Sequence, residues 1–403
     1  MEIEDIRSPR DYLIYSKNVV HRHSKAVCKL IDLTASYVHD SEKAYKEGKV
    51  DAIWSAPNGW EIPLIYSYGI LPVAFNELGR LSEREDMEIA ENYYQFPSET
   101  CSMVKCTVGQ WHKRRESTGI KRILGTSVSC EPYNQAWEVM RKEGFDVHTI
   151  DVVYRAPTVQ GERLEKLIAF FMEQIYQTAE WLTGSRRINE EKLSIEIRRK
   201  NRLIAKVRKV LELRVKNPFY MRSLPSIYLL TGMNTYCGKP EEYEATVDLL
   251  IEELEHAPID EKEVKKAIPL VWVGSPGQEF GIYEAIDQAN GALLGFRYFP
   301  FNTYREDIPP VEALARFVFG SQEAGASVYV QRIIEQEVNK INARGLVFYG
   351  YLGCSYSSVA REMWRNYFHT KGIPSLNMDG TFQAGPPTGQ ILTRVRAFVE
   401  MLS

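Results

Sequence analysis

At 403 residues, 44% hydrophobic and 26% charged with a formal net charge of −3, the chain has the make-up of an ordinary globular protein of two or three units. A chain of this size can bury a sizeable core without disulfides or metals, and no stretch approaches the ~18 uninterrupted apolar residues of a transmembrane helix. The opening "MEIEDIRSPRDYL" is acidic and polar where a signal peptide is basic and then apolar, so a cytoplasmic location is expected; there, six cysteines read as reduced thiols, metal ligands or catalytic groups.

In chain order, a helical pattern runs from about Tyr15 to Tyr45 and forms an N-terminal helical segment over 1–48. "VDAIWSAP" then reads as a strand or buried turn, and "GWEIPLIYSYGILPVAF" as a short helix, a stop at Gly69 and a second strand. An amphipathic helix, "SEREDMEIAENYYQF", precedes the helix "ETCSMVKCTVGQWHKRR". Next come the strand "KRILGTSVS", a helix from "CEPYNQAW" and the strand "DVHTIDVVY". This alternation predicts a parallel sheet covered by helices, a first α/β domain over 49–157. Over 158–262 the strand signals vanish and long helical patterns form an insert or bridge. Within it, Arg186 to Lys216 carries twelve basic and four acidic residues. The α/β rhythm returns over 263–403 with "IPLVWVGSP", "GALLGFRYF", "GLVFYGYLG" and "GIPSLNMD", ending in the helix "TGQILTRVRAFVEML". The fold class is therefore α/β with two parallel-sheet domains, and the two halves are open to being loosely related.

A phosphate-cradling GxxxxGK[ST] loop, HExxH, CxxC, GxSxG and zinc-finger spacings are all absent, and "GSPGQEFG" lacks the GxGxxG spacing of a Rossmann fingerprint. What remains is the placement of three thiols. Cys101 opens a helix after "FPSET", Cys130 follows the strand "RILGTSVS", and Cys354 follows "LVFYGYLG" and precedes "SYSSVAREMW". Ligands of open α/β sheets bind beyond the carboxyl ends of strands. Helix N-termini there offer N–H groups and a positive dipole end, expected to lower a thiolate pKa. Three such thiolates could hold an iron–sulfur cluster with one iron left open. Position alone leaves the bland alternative standing, since an unpaired cysteine at a strand end is commonly a small core hydrophobe. Cys28 and Cys237 read as background thiols, and Cys106 as core or as a support behind the ligands.

The elements "APNGWEIPLIYSYGILPV", "ETCSMVKCTVG", "GTSVSCEPYNQAW", "PLVWVGSP", "GYLGCSYSS", "GIPSLNMDGTF" and "GPPTGQILTRVRAFVEML", in this order, resemble the 2-hydroxyacyl-CoA dehydratase subunits (D-component type), a family related to benzoyl-CoA reductase subunits. The resemblance implies two Rossmann/flavodoxin-like domains with a 4Fe–4S cluster between them, one per chain, on Cys101, Cys130 and Cys354. It implies a heterodimer with a related second subunit, and activation by an iron–sulfur ATPase that delivers one low-potential electron. The implied reaction removes water from an (R)-2-hydroxyacyl-CoA through a ketyl radical to give the 2-enoyl-CoA. Family members often carry a Pro-x-Glu segment before the helix that ends at the counterpart of Gly69. Here Glu61 is displaced and Pro63 stands nearer the expected place of the acid. Glu61 is the candidate proton-transfer residue, and Ser55, Trp60 and Tyr66 are candidates for the same pocket. A flavin is left undecided, because no flavin fingerprint is visible.

Three alternatives stay open at this level: an ATP-dependent reductase subunit of the benzoyl-CoA-reductase or double-cubane type, using Cys106 and Cys237; a cluster-less scaffold; and a nucleic-acid-binding protein using the basic stretch 186–216. A solvated amphipathic helix is the plainer account of that stretch, given the slightly acidic chain and the lack of an aromatic stacking motif.

Overall fold

The computed structural model describes residues 9–56, 59–75, 82–126, 130–153, 159–297, 302–320, 327–382 and 386–403. The N-terminal segment holds α1 (Pro9–Tyr15), a π-turn over Ser16–Val20 and α2 (Lys25–Lys46). The expected unbroken helix is thus interrupted after Val20. Buried His21 turns its Nδ1 back to the Ser16 carbonyl, and Ser24 restarts the helix by accepting the Val27 N–H at its N-cap.

The first α/β unit runs β1 (Asp51–Ser55), α3 (Glu61–Ser67), β2 (Ile70–Ala74), α4 (Arg84–Asn92), α5 (Ser102–Arg114), β3 (Arg122–Thr126), α6 (Glu131–Lys142), β4 (Asp146–Ile150) and α7 (Glu162–Thr183). Its strands are all parallel in the order β2-β1-β3-β4. Gly69, at φ +71°, makes the tight exit from α3 into β2 that the sequence indicates. Four helices follow: α8 (Glu190–Lys216), α9 (Ser223–Thr235), α10 (Pro240–His256) and α11 (Glu261–Lys266). The second unit runs β5 (Ile268–Gly274), α12 (Gly281–Gln288), β6 (Gly291–Phe296), α13 (Pro310–Gly320), α14 (Ser327–Ile341), β7 (Gly345–Tyr351), α15 (Ser355–Thr370), β8 (Ser375–Gly380) and α16 (Gly389–Met401). Its order, β6-β5-β7-β8, is again parallel throughout.

The near-continuous apolar runs of β5 and β7 fit strands covered by helices on both faces. Although α7 falls in the long helical stretch, it lies on the first sheet: Ile168, Phe171 and Ile175 pack with Ile53, Leu124 and Ile150. Helices α8, α9 and α10 pack with α2 in one core that reaches Trp54 and Ile123 of the first sheet and Leu270 and Trp272 of the second. In each sheet the strand order reverses between the two central, parallel strands, β1/β3 and β5/β7. This opens a crevice at their carboxyl ends.

Candidate iron–sulfur site

All three cysteines stand at the same kind of place. Cys101, Cys130 and Cys354 are the N-cap residues of α5, α6 and α15, in extended or near-extended backbone just before each helix. Cys130 and Cys354 follow the central strands β3 and β7 of their sheets, on the crevice side. The loops that carry Cys101 and Cys354 are bonded to each other. The Ser102 N–H donates to the Leu352 carbonyl at 2.9 Å, and the Ser102 hydroxyl accepts the Phe382 N–H at 3.1 Å. Gly353, at φ +79°, lets the backbone pass against 99–100: a Cβ there would overlap the Glu99 carbonyl and come within 2.8 Å of the Thr100 oxygen.

The thiols sense one another. The Cys101 and Cys354 side chains share a hydrogen bond, and Cys354 also acts electrostatically on Cys130. The expectation of depressed thiol pKa values is not met. The hydrogen bond with Cys354 and burial push Cys101 well above its ordinary value, and burial pushes Cys130 up to about 11. The helix-end amides of Met103 and Val104 at Cys101, and of Tyr133 at Cys130, pull the other way but are outweighed. Among the described residues no three His, Cys, Asp or Glu side chains converge on a point for a single metal ion. An iron–sulfur cluster makes a different demand, since each thiolate binds its own iron atom across the width of the cluster. Three sulfurs from three loops, two of them facing helix-end N–H groups that favour the anion, are a donor set that fits it.

The other thiols lie elsewhere. Cys106 is fully buried on α5 within the large core, and burial pushes it up to about 12. Cys237 is buried in the turn after α9, and Cys28 donates weakly to the Lys17 and His21 carbonyls.

Of the four candidate pocket residues, the structure brings two together. Ser55, the last residue of β1, donates to Oε1 of Glu61 at 3.2 Å; Glu61 opens α3 and is 1% exposed. Trp60 goes into the core, edge-on to Phe171 of α7. Tyr66 points to the helical bridge, its hydroxyl donating to the Thr235 carbonyl and its ring tilted over Tyr236. Two residues that no local pattern advertises complete the surroundings of Glu61. Lys200 of α8 is 3% exposed, donates to the Met233 and Asn234 carbonyls at the end of α9 and lies over the Tyr236 ring. Burial lowers its pKa to about 7, against the upward pull of Glu61. Tyr304, just before α13, donates to the Gly59 carbonyl and also feels Glu61.

Two matching parallel-sheet units with cysteine-bearing helix starts at both central crevices define an α/β protein of the two-domain, thiol-site kind. A family model described as "2-hydroxyglutaryl-CoA dehydratase, D-component" matches residues 62–402, and the chain belongs to that family. It is accordingly a 2-hydroxyacyl-CoA dehydratase component, of a kind that implies a partner subunit. No curated protein matches the chain. Among the described residues no helix is long and apolar enough to cross a membrane.

Proposed function

We propose that this chain is the iron–sulfur-bearing component of a 2-hydroxyacyl-CoA dehydratase. It would act with a related second subunit and an iron–sulfur ATPase activator, and remove water from an (R)-2-hydroxyacyl-CoA to give the 2-enoyl-CoA. The observation that carries this reading is the meeting of the Cys101, Cys130 and Cys354 loops from two α/β units, tied by the Ser102–Leu352 hydrogen bond. Cys101, Cys130 and Cys354 would hold a 4Fe–4S cluster, which would supply the one-electron chemistry that makes the hydroxyl beside the thioester a leaving group.

The chain's own residues then have defined tasks. Elimination needs a base for the β-proton, and Glu61 is the carboxylate at the first unit's crevice. The Ser55 hydroxyl orients one of its oxygens, and the Lys200 ammonium favours its charged form. A double-cubane reductase would need further thiols at the site, and Cys106, inside α5, and Cys237, in the turn after α9, stand at neither strand-to-helix junction.

The test is anaerobic purification with iron and sulfide quantitation and EPR, on the wild type and on Cys354→Ser, followed by turnover of 2-hydroxyacyl-CoA esters with activator and partner subunit. Four irons per chain, lost in Cys354→Ser, together with release of the enoyl thioester, are expected. Colourless, iron-free wild-type protein would sink the proposal.

A further inference from the structure

The two units share more than strand order. Each runs strand, helix, strand, two helices, strand, helix, strand, helix. In this correspondence β5 matches β1 and β7 matches β3, and Cys354 takes the place of Cys130. The segment after β1, "APNGWE", then falls on the segment after β5, "SPGQE": in both, a proline and a glycine lead to a glutamate at or just before the start of the next helix. The counterpart of Glu61 is Glu279, two residues before α12.

Glu279 is 8% exposed and accepts a hydrogen bond at Oε2 from the Tyr349 hydroxyl at 3.0 Å, as Glu61 accepts one from Ser55. The pair lies beneath the Cys354 loop. A Cβ at Gly380 would overlap the Tyr349 hydroxyl, and the Gly380 carbonyl receives the Leu352 N–H at 2.8 Å. Beside Glu279, Gln278 is 1% exposed and its Oε1 has no hydrogen-bond partner among the described residues, leaving an acceptor for a group from outside them.

The two glutamates differ in their neighbours. Glu61 has the Lys200 ammonium; Glu279 faces Tyr349 and, through it, Tyr351 of β7 and Tyr283 of α12, with no cation among the described residues acting on it. Asp379, next to Gly380, is paired with Arg361 at 2.6 Å. Burial raises the Glu279 pKa, against a smaller opposing effect of the Tyr349 hydrogen bond. A carboxyl beside a buried ammonium and one beside only tyrosines stand in different surroundings, the kind of arrangement that separates a base from an acid.

We propose that Glu279, positioned by Tyr349, is the general acid of the dehydration, donating its proton to the departing hydroxyl while Glu61 takes the β-proton. The inference rests on the dehydratase reading above. The Cα–O bond breaks with its electron pair, and the Glu279 proton completes the water molecule. That leaves an α-carbon radical beside the thioester carbonyl; the β-C–H proton passes to Glu61, giving the radical anion of the enoyl thioester, which returns the electron that formed the ketyl as the double bond is completed. One proton leaves Glu279 and one arrives at Glu61, and exchange with solvent restores both.

The experiment pairs infrared pH titration of the purified chain with the pH profile of turnover. In wild type minus Glu279→Gln difference spectra, a protonated carboxyl band should persist above the ordinary glutamate range. Glu279→Gln should lower kcat at least ~100-fold and abolish the basic limb of the profile. Tyr349→Phe removes a bond that favours the carboxylate, so it should move that limb to higher pH, which a purely structural tyrosine would not do. A Glu279→Gln enzyme that folds, holds iron and turns over with an unchanged basic limb overturns the inference alone. If that variant does not fold, a difference-free Tyr349→Phe titration and profile overturn it. An iron-loaded wild type that performs no dehydration overturns the dehydratase reading and the inference with it.

Discussion

The two α/β units have one topology and different chemistry. The first contributes two thiols, Cys101 and Cys130, and a buried carboxyl beside a buried ammonium. The second contributes one thiol, Cys354, and a buried carboxyl beside a tyrosine. Backbone correspondence fixes where Cys130 and Cys354, or Glu61 and Glu279, can stand. What each does is set by side chains arriving from elsewhere: Lys200 from the helical bridge, Tyr349 from the neighbouring strand. The comparison separates a scaffold that places groups from the neighbours that tune them.

The largest break in that comparison is loss of a ligand. Ser in place of Cys101, Cys130 or Cys354 is expected to remove most of the iron and the EPR signal of the reduced protein, measured on anaerobic samples. Cys237→Ser should leave iron content near wild type while lowering the melting temperature, because it lies in the core. Equal iron loss in all four variants would end the distinction between ligand and core thiols.

Next in size is the joint between the units. Gly353→Ala meets both a left-handed backbone and the Glu99 carbonyl, whereas Gly372→Ala, at φ +74°, meets nothing within 4 Å. The conformational penalty is common to both, about 1–2 kcal/mol. Gly353→Ala must in addition part the two loops, so thermal melts should show it the less stable of the two, and it alone should lose iron.

Much of this was legible in the chain. The strands stand out as short apolar runs between turn signals, and the cysteines are visible as thiols at strand-to-helix junctions. The break at His21 was not, because helical periodicity on either side hides a turn held by a single buried ring. Lys200 and Tyr304 reach Glu61 from points 139 and 243 residues away in sequence, and no local pattern foretells that. Glu279 did leave a trace, the likeness of "SPGQE" to "APNGWE", but it emerges only once the two sheets are known to match. The thiol shifts run against the helix-end expectation for a physical reason: a few helix-end amides favour the anion by less than burial and a neighbouring thiol disfavour it.

A subtler difference between the carboxyl sites should appear in stability against pH. Lys200 is lowered from 10.5 to about 7. Between those values the folded chain binds fewer protons than the unfolded one, so wild-type stability rises with pH there; below about 7 the cost of the buried ammonium is complete. Lys200→Met removes that cost and also the hydrogen bonds to the Met233 and Asn234 carbonyls. Denaturant titrations should therefore find the variant at its best relative to wild type below pH 7. The advantage should fall toward pH 10.5, by on the order of 5 kcal/mol at most. A pH-independent difference would mean that Lys200 is not held in a strongly desolvated site.

The smallest effect belongs to the basic stretch, and it decides the nucleic-acid alternative. Four of its twelve cations face an acidic ladder on α10: Arg199 with Glu241 at 3.0 Å, Arg202 with Glu244 at 2.7 Å, Lys206 with Glu244 and Asp248 at 2.8 and 2.7 Å, and Lys209 with Glu255 at 3.0 Å. Lys200 and Arg214 are buried, the latter donating to the Met221 and Leu293 carbonyls. Cations already matched to carboxylates have little charge to give a phosphate backbone, so no salt-dependent DNA or RNA binding is expected in fluorescence anisotropy. Because these pairs are mostly solvent-facing, Arg202→Ala should cost less than about 1 kcal/mol in denaturant titration. Its effect should shrink further at high salt. Tight, salt-sensitive nucleic-acid binding that Arg202→Ala weakened would show that the ladder opens, and would make this helix a binding surface rather than a strut between the two units.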